Sequence, residues 1–176
     1  TLIGLLLAAS LASLGAGVSS LAIWTDSATS SASFSAGTVD LVVSPATVLT
    51  VGTLAPGQSG SAELTVANSG TLALRYAMTS SSTNADGKAL RGQLSLTVSA
   101  GACPSVTALF GPAALSGAAF GNPAQGGHSG DRTLAAGASE TLCFAWSLPS
   151  ATGDAFQGAT TATTFTFAAE QTVANP

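Results

Sequence analysis

The chain has 176 residues but only 12 charged side chains, four basic and eight acidic, which give a net charge of −4. Four scattered cations cannot form the basic patch that a nucleic-acid-binding protein needs, and their scarcity also argues against polybasic membrane recognition. Ala, Ser, Thr and Gly supply 101 residues. The length of the chain suits one domain with an appendage and allows a hydrophobic core.

The N-terminal segment is hydrophobic, and its first charged residue is Asp26. As a helix, residues 2–24 would be about 34 Å long, which is enough to cross a bilayer. The strongest apolar run is short, however, and Ser20 and Ala22 form a loose A-x-A cleavage signal, as in a secretory signal peptide. The favoured interpretation is a signal peptide over residues 1–22; a retained N-terminal helix is the alternative.

Alternating apolar and polar residues predict β-strands over much of the remaining chain. The alternation covers residues 72–79, 94–99, 142–147 and 164–168, and residues 64–66 end a further strand. Period-two alternation predicts strands with one buried face, and Gly-rich and Pro-rich turns separate them. We therefore expect an all-β fold, a jelly-roll or Ig-like β-sandwich, over residues 38–176. Residues 101–132 interrupt the alternation and predict a long excursion from the sandwich.

One turn sequence occurs twice: residues 53–59 read TLAPGQS and residues 133–139 read TLAAGAS. Each precedes a predicted strand, and such a glycine is typical of a type II turn or of a turn with glycine in the left-handed αL conformation. The pattern predicts two similar glycine turns and does not indicate a repeat architecture.

The two cysteines, Cys103 and Cys143, are 40 positions apart. An exported chain enters an oxidising compartment, so we expect a disulfide that ties the excursion to the strand of Phe144 and Trp146. Two separate buried thiols are the alternative. A metal site is disfavoured because there is no CxxC spacing and only one histidine.

No catalytic, metal or cofactor site is predicted, and the protein is not expected to be an enzyme. HExxH is absent, and His128 lies in a Gly-rich stretch typical of an exposed loop. A zinc hydrolase needs about three protein ligands. Calcium bound between loops through Asp86 or Asp131 together with Asp154 is a weaker alternative, because no EF-hand-like run is present.

Two motifs resemble the TasA/camelysin family of secreted bacterial proteins. Residues 17–28 (GVSSLAIWTDSA), followed by residues 34–41 (FSAGTVDL), match the family's junction between signal peptide and first strand. Residues 156–158 (FQG) and 165–171 (FTFAAEQ) give a second, less specific match near the C-terminus.

The resemblance implies a jelly-roll subunit of an extracellular fibre in the biofilm matrix. Subunits of such fibres are joined by donor-strand complementation, in which an N-terminal segment adds as a strand to the next copy. We expect residues 23–37 to be that donor segment or linker. The candidate assembly residues are Ile23, Trp24, Asp26, Phe34, Val39 and Leu41.

The expected partners are identical subunits, with co-assembling matrix or surface proteins in addition. Membrane contact is expected only through residues 1–23, before processing or if they are retained. Two alternatives remain open: a pilin-like filament with residues 1–23 as a helical core, and a secreted metallopeptidase of camelysin type.

Overall fold

The computed structural model describes residues 30–173. Contacts divide the chain into two units, Thr1–Ser35 and Ala36–Pro176. The predicted segment over residues 1–22 lies outside the described residues, as do Ile23, Trp24 and Asp26. Residues 30–35 are exposed and have no regular secondary structure.

The second unit is built from β-strands, which confirms the all-β prediction. The elements in chain order are β1 (Leu41–Ser44), β2 (Ser59–Asn68), β3 (Leu74–Ser82), α1 (Leu90–Gln93), β4 (Ser95–Ala100), β5 (Thr107–Ala114), β6 (Arg132–Leu134), β7 (Ser139–Ser147), a 3-10 turn (Asp154–Phe156) and β8 (Thr163–Gln171). The strands form a five-stranded sheet of order β1-β2-β7-β4-β5 and a three-stranded sheet of order β6-β3-β8. All pairs are antiparallel.

The core is made by the alternate residues that the sequence pattern marks as apolar. Leu64 and Val66 of β2, Leu142 and Phe144 of β7, and Met78 of β3 are almost fully buried. Aromatic contacts join the two sheets: the ring of Phe144 lies 4.9 Å from that of Phe165 on β8, in an edge-to-face arrangement. On the opposite face, Glu63 and Thr65 of β2 are exposed, as period two predicts, whereas Ala77 of β3 and Cys143 of β7 are also buried.

The two TLAxGxS segments form equivalent turns. The N–H of Gln58 donates to the carbonyl of Ala55, and the N–H of Ala138 donates to that of Ala135. Gly57 and Gly137 occupy the third turn position with φ of 89° and 71°, which a type II turn assigns to glycine. The turns open β2 and β7, which pair with each other over nine residues, Ser59–Ala67 with Ser147–Ser139.

Residues 101–132 do not form one long excursion, because part of this range belongs to the sandwich. Thr107–Ala114 forms β5 at the edge of the larger sheet, and Phe120 makes an isolated bridge with Met78. The β4–β5 register shifts at two places, and β5 contains Pro112, which an edge strand tolerates. At the register shift, the consecutive residues Leu109 and Phe110 both pack against the core. The apolar–polar alternation that would have predicted the strand is therefore absent.

Buried polar side chains connect the sheets. Asn68, at the end of β2, is 1% exposed, and its amide nitrogen lies within 3.3 Å of the carbonyl oxygens of Leu72, Leu134 and Ala135. Its side-chain oxygen accepts the N–H of Gly70. The side chain thereby fixes two turns that cross between the sheets.

A second connection joins Tyr76 of β3 to Glu140 of β7 and Arg132 of β6. The Tyr76 hydroxyl donates to Glu140 Oε1 at 2.7 Å, and the Arg132 guanidinium pairs with both oxygens of the same carboxylate. Because β7 belongs to the larger sheet and the other two strands to the smaller, this cluster holds one end of the sandwich together.

Candidate functional site

The predicted assembly residues fall on both sides of the point where the chain joins the sandwich. Phe34 is 96% exposed, in a stretch without regular structure. Leu41, in contrast, begins β1, pairs with Asn68 and packs against the core of its own chain. Val39 is 40% exposed and lies between them. Leu41 is therefore part of the sandwich and not of a free donor segment, because its backbone is already paired with β2.

Residues within the motif at 34–41 attach the chain to the sandwich. The carbonyl of Thr38 accepts the N–H groups of Thr71 and Leu72, and its own N–H donates to Thr71 Oγ1 at 2.8 Å. A Cβ on Gly37 would lie 2.5 Å from the Leu72 side chain, so only glycine allows this approach without a shift. The chain is thus anchored to the sandwich from Thr38 onwards.

Four strands form the edges of the described sheets: β1 and β5 in the larger one, and β6 and β8 in the smaller one. β6 has three residues, β1 has four, and β5 is irregular and contains a proline. β8 is nine residues long and pairs with β3 in continuous register from Thr163 to Gln171.

Edge strands expose unpaired backbone groups that can accept a further strand. The edges are decided by topology, and nothing in the alternation of a strand tells an edge from a central position. The position of β8 at an edge is therefore not visible in its sequence.

A disulfide and a hydrogen bond attach the loop after β4 to the larger sheet. Cys103 and Cys143 are joined by a disulfide, and no cysteine in the described part of the chain is free. Glu63 Oε1 accepts the backbone N–H of Cys103 at 2.7 Å. The loop after β4 is thereby held on the β2–β7 pair.

Two of the candidate calcium ligands, Asp86 and Asp131, accept backbone N–H groups of the protein. The backbone N–H groups of Lys88 and Thr160 donate to Asp86 and lower the pKa of its carboxyl. Burial raises the pKa of Asp131, but N–H donation from Asn122 and His128 holds it below its usual value. Both carboxylates thus serve as hydrogen-bond acceptors for the backbone.

His128 is exposed, and its Nε2 lies 3.3 Å from the carbonyl oxygen of Gln125. Over residues 30–173, no three His, Cys, Asp or Glu side chains are grouped so that they could hold a metal ion. The donor set of the described residues thus does not fit a catalytic zinc site, for which about three protein ligands are needed.

Within the same residues, no helix is both long and apolar enough to span a bilayer.

Comparison with known proteins assigns the chain to a family. The sequence profile of the camelysin metallo-endopeptidase family matches residues 3–95, which is more than half of the chain. The matched range contains both the junction motif and the strands β1 to β3. No curated protein matches the chain. By this profile match and its β-sandwich, the chain belongs to the camelysin family, which includes TasA.

Proposed function

We propose that this protein is a structural subunit of an extracellular fibre and that its subunits are joined by donor-strand complementation. In this proposal residues 23–37 of one copy extend a sheet of the next copy. The observation that carries the proposal is Phe34, a large apolar side chain that is 96% exposed just before the chain is anchored at Thr38. Burying such a side chain stabilises an assembly by about 1.5–3 kcal/mol.

The composition of the segment supports the same function. Residues 23–35 read IWTDSATSSASFS, with a single charge at Asp26. A donor strand supplies main-chain hydrogen bonds together with side chains for alternate pockets. A segment of mostly small residues, with a single charge and an aromatic residue near each end, has few groups whose desolvation would oppose this pairing.

An extracellular location is part of the proposal. It is supported by the hydrophobic N-terminal sequence and by the disulfide between Cys103 and Cys143, since disulfides persist in oxidising compartments. The proposed partners are copies of the same chain, with other matrix or surface proteins in mixed fibres.

The family's description favours a second candidate function, that of a metallo-endopeptidase. The sequence lacks HExxH, and the described residues offer no group of three metal ligands. We therefore propose a structural role and no enzymatic activity.

Deletion of residues 23–35 tests the structural role. We expect the purified variant to remain a folded monomer, while the unmodified protein forms fibres under the electron microscope. His128→Ala and a chelator serve as controls and should leave fibres intact, because neither touches the donor segment. Normal fibres from the deletion variant would contradict strand donation, and loss of fibres or of peptidase activity on chelation would favour a metal-dependent function.

Mass spectrometry of the N-terminus of the native subunit separates the proposal from the pilin-like alternative. A subunit that begins near Ile23 agrees with strand donation. A native subunit that retains residues 1–22 in its fibres would favour a helical filament core instead.

A further inference from the structure

We propose that the acceptor for the donor segment is the outer edge of β8, over residues 163–169, and that it pairs with residues 28–34 of a second copy of this chain. This inference rests on the proposed function and adds to it the place where the next subunit binds. Within residues 30–173, β8 pairs with β3 on one side and with no strand on the other.

The other three edges of the described sheets are protected in the ways that limit strand pairing. β6 and β1 are too short to hold a long donor, with three and four residues. β5 has two register shifts and Pro112 in its course, so its outer row of backbone groups is interrupted. Residues 163–169 of β8 contain no proline, no charge and no register shift against β3.

The inner face of β8 leaves apolar surface for a neighbouring strand to cover. Phe165 and Phe167 point inwards, opposite Ser80 and Met78, but both are only partly buried. Their rings touch core aromatics: Phe165 contacts Phe144, and Phe167 lies 6.1 Å from Tyr76. A strand added beyond β8 would place its inward side chains next to these two rings, since adjacent residues on one face of a sheet contact each other.

The donor sequence has the same division between faces as β8. Along residues 28–34 (ATSSASF), one face carries Ala28, Ser30, Ala32 and Phe34, and the other carries Thr29, Ser31 and Ser33. On β8 the outward residues are Thr164, Thr166 and Ala168. If the donor's apolar face is inward, its hydroxyl face continues the small, solvent-facing side chains of β8. Residues 28–34 lie inside the uncharged stretch between Asp26 and Asp40, so their pairing with the uncharged edge would bury no charge.

Disulfide trapping between two populations of the full-length protein tests the acceptor. One population carries a donor cysteine, Ser31→Cys or Ser33→Cys, and the other a differently tagged acceptor cysteine, Thr164→Cys or Thr166→Cys. All four positions are on the solvent face, where directly opposed Cβ atoms lie within reach of a disulfide. The two choices on each strand cover neighbouring registers. Val42→Cys on β1 and Ala108→Cys on β5 are matched acceptors on the competing edges.

We expect most of the cross-linked heterodimer to come from a β8 acceptor. Cross-links mainly to Val42→Cys or Ala108→Cys, or fibres in which no β8 position cross-links, would overturn the β8 assignment but leave donor-strand assembly standing. Failure of the unmodified chain to form fibres would instead remove the proposed function.

Hydrogen exchange on the unmodified protein supplies a second readout that needs no substitution. Amides of residues 163–169 should exchange more slowly in fibres than in the monomer, while those of β1 and β5 should change little. Unchanged exchange in β8 on fibre formation would contradict the proposal.

Discussion

Tyr76 has an unusual environment for a phenol, because its hydroxyl is buried and donates to the carboxylate of Glu140. Burial and then this hydrogen bond raise the pKa of Tyr76 far above its ordinary value. In the unfolded chain the phenol ionises near pH 10. The folded state keeps its proton to higher pH, so the stabilisation is complete below about pH 10 and is lost as the pH rises further.

Tyr76→Phe should therefore reduce the alkaline sensitivity of the protein. The wild type should lose about 1.4 kcal/mol of unfolding free energy per pH unit above 10 through this group, and the variant should not. At neutral pH the variant should be about 1 kcal/mol less stable, because Glu140 loses one hydrogen-bond donor. Urea unfolding of both proteins at neutral pH and at a pH above 10 measures these differences.

Phenolate absorbance provides a check on the same prediction, since Tyr76 is the chain's only tyrosine. A folded protein whose phenol titrates near pH 10 would contradict the buried arrangement.

Asn68→Ala should be among the more destabilising single substitutions of a polar residue. The change leaves the carbonyls of Leu72, Leu134 and Ala135 and the N–H of Gly70 without this partner. Unsatisfied buried groups of this kind cost about 1–3 kcal/mol, and we expect about 3 kcal/mol in total. Asn122→Ala, at an exposed loop position, is the matched control and should cost less than about 0.5 kcal/mol. Equal midpoints of urea unfolding for the two variants would show that Asn68 does not hold the turns.

Among the elements, the loop after β4 and the adjoining β5 depend most on a covalent link. The disulfide closes a loop with a sequence separation of 40, which corresponds to about 4 kcal/mol in the chain-entropy model. Reduction should speed hydrogen exchange in residues 101–132 before the β2–β7 pair opens, because alternating core residues hold that pair independently.

Alkylation of the native protein without reductant, followed by intact-mass measurement, tests the link itself. No alkylated thiol is expected. Two alkylated thiols would show that the cysteines are separate in solution, and the double variant Cys103→Ser/Cys143→Ser should reproduce the exchange pattern of the reduced protein.

At the scale of the whole molecule, two side chains of similar exposure allow a matched test of assembly. Phe34 is 96% exposed and Val106 is 99% exposed, and they lie in different units. Phe34→Asp should strongly raise the concentration needed for fibre formation, because an unpaired carboxylate would be buried in the neighbouring copy. Val106→Asp should leave this concentration nearly unchanged.

Both variants should unfold like the wild type as monomers, since neither side chain is buried there. Equal effects of the two substitutions on fibre growth, measured by sedimentation and electron microscopy, would indicate a nonspecific influence of added charge.

The fold class and most local elements could be predicted from the amino-acid sequence. Period-two runs located β3, β4, β7 and β8, and the two TLAxGxS segments indicated the turns that open β2 and β7. These features follow from near neighbours in the chain: alternation sets which face is buried, and a glycine with positive φ sets the turn. The junction motif was also visible as a pattern, although the reason for Gly37 was not.

The way in which these elements combine depends on tertiary contacts and could not be predicted. Register shifts hide β5, and nothing in the sequence marks Asn68 as a buried connection between the sheets. Glu140 meets Tyr76 from 64 residues away, and β8 is an edge because of the strand order. Such features depend on contacts between segments distant in the chain, and hydrophobic periodicity carries information about a strand's buried face but none about its neighbours.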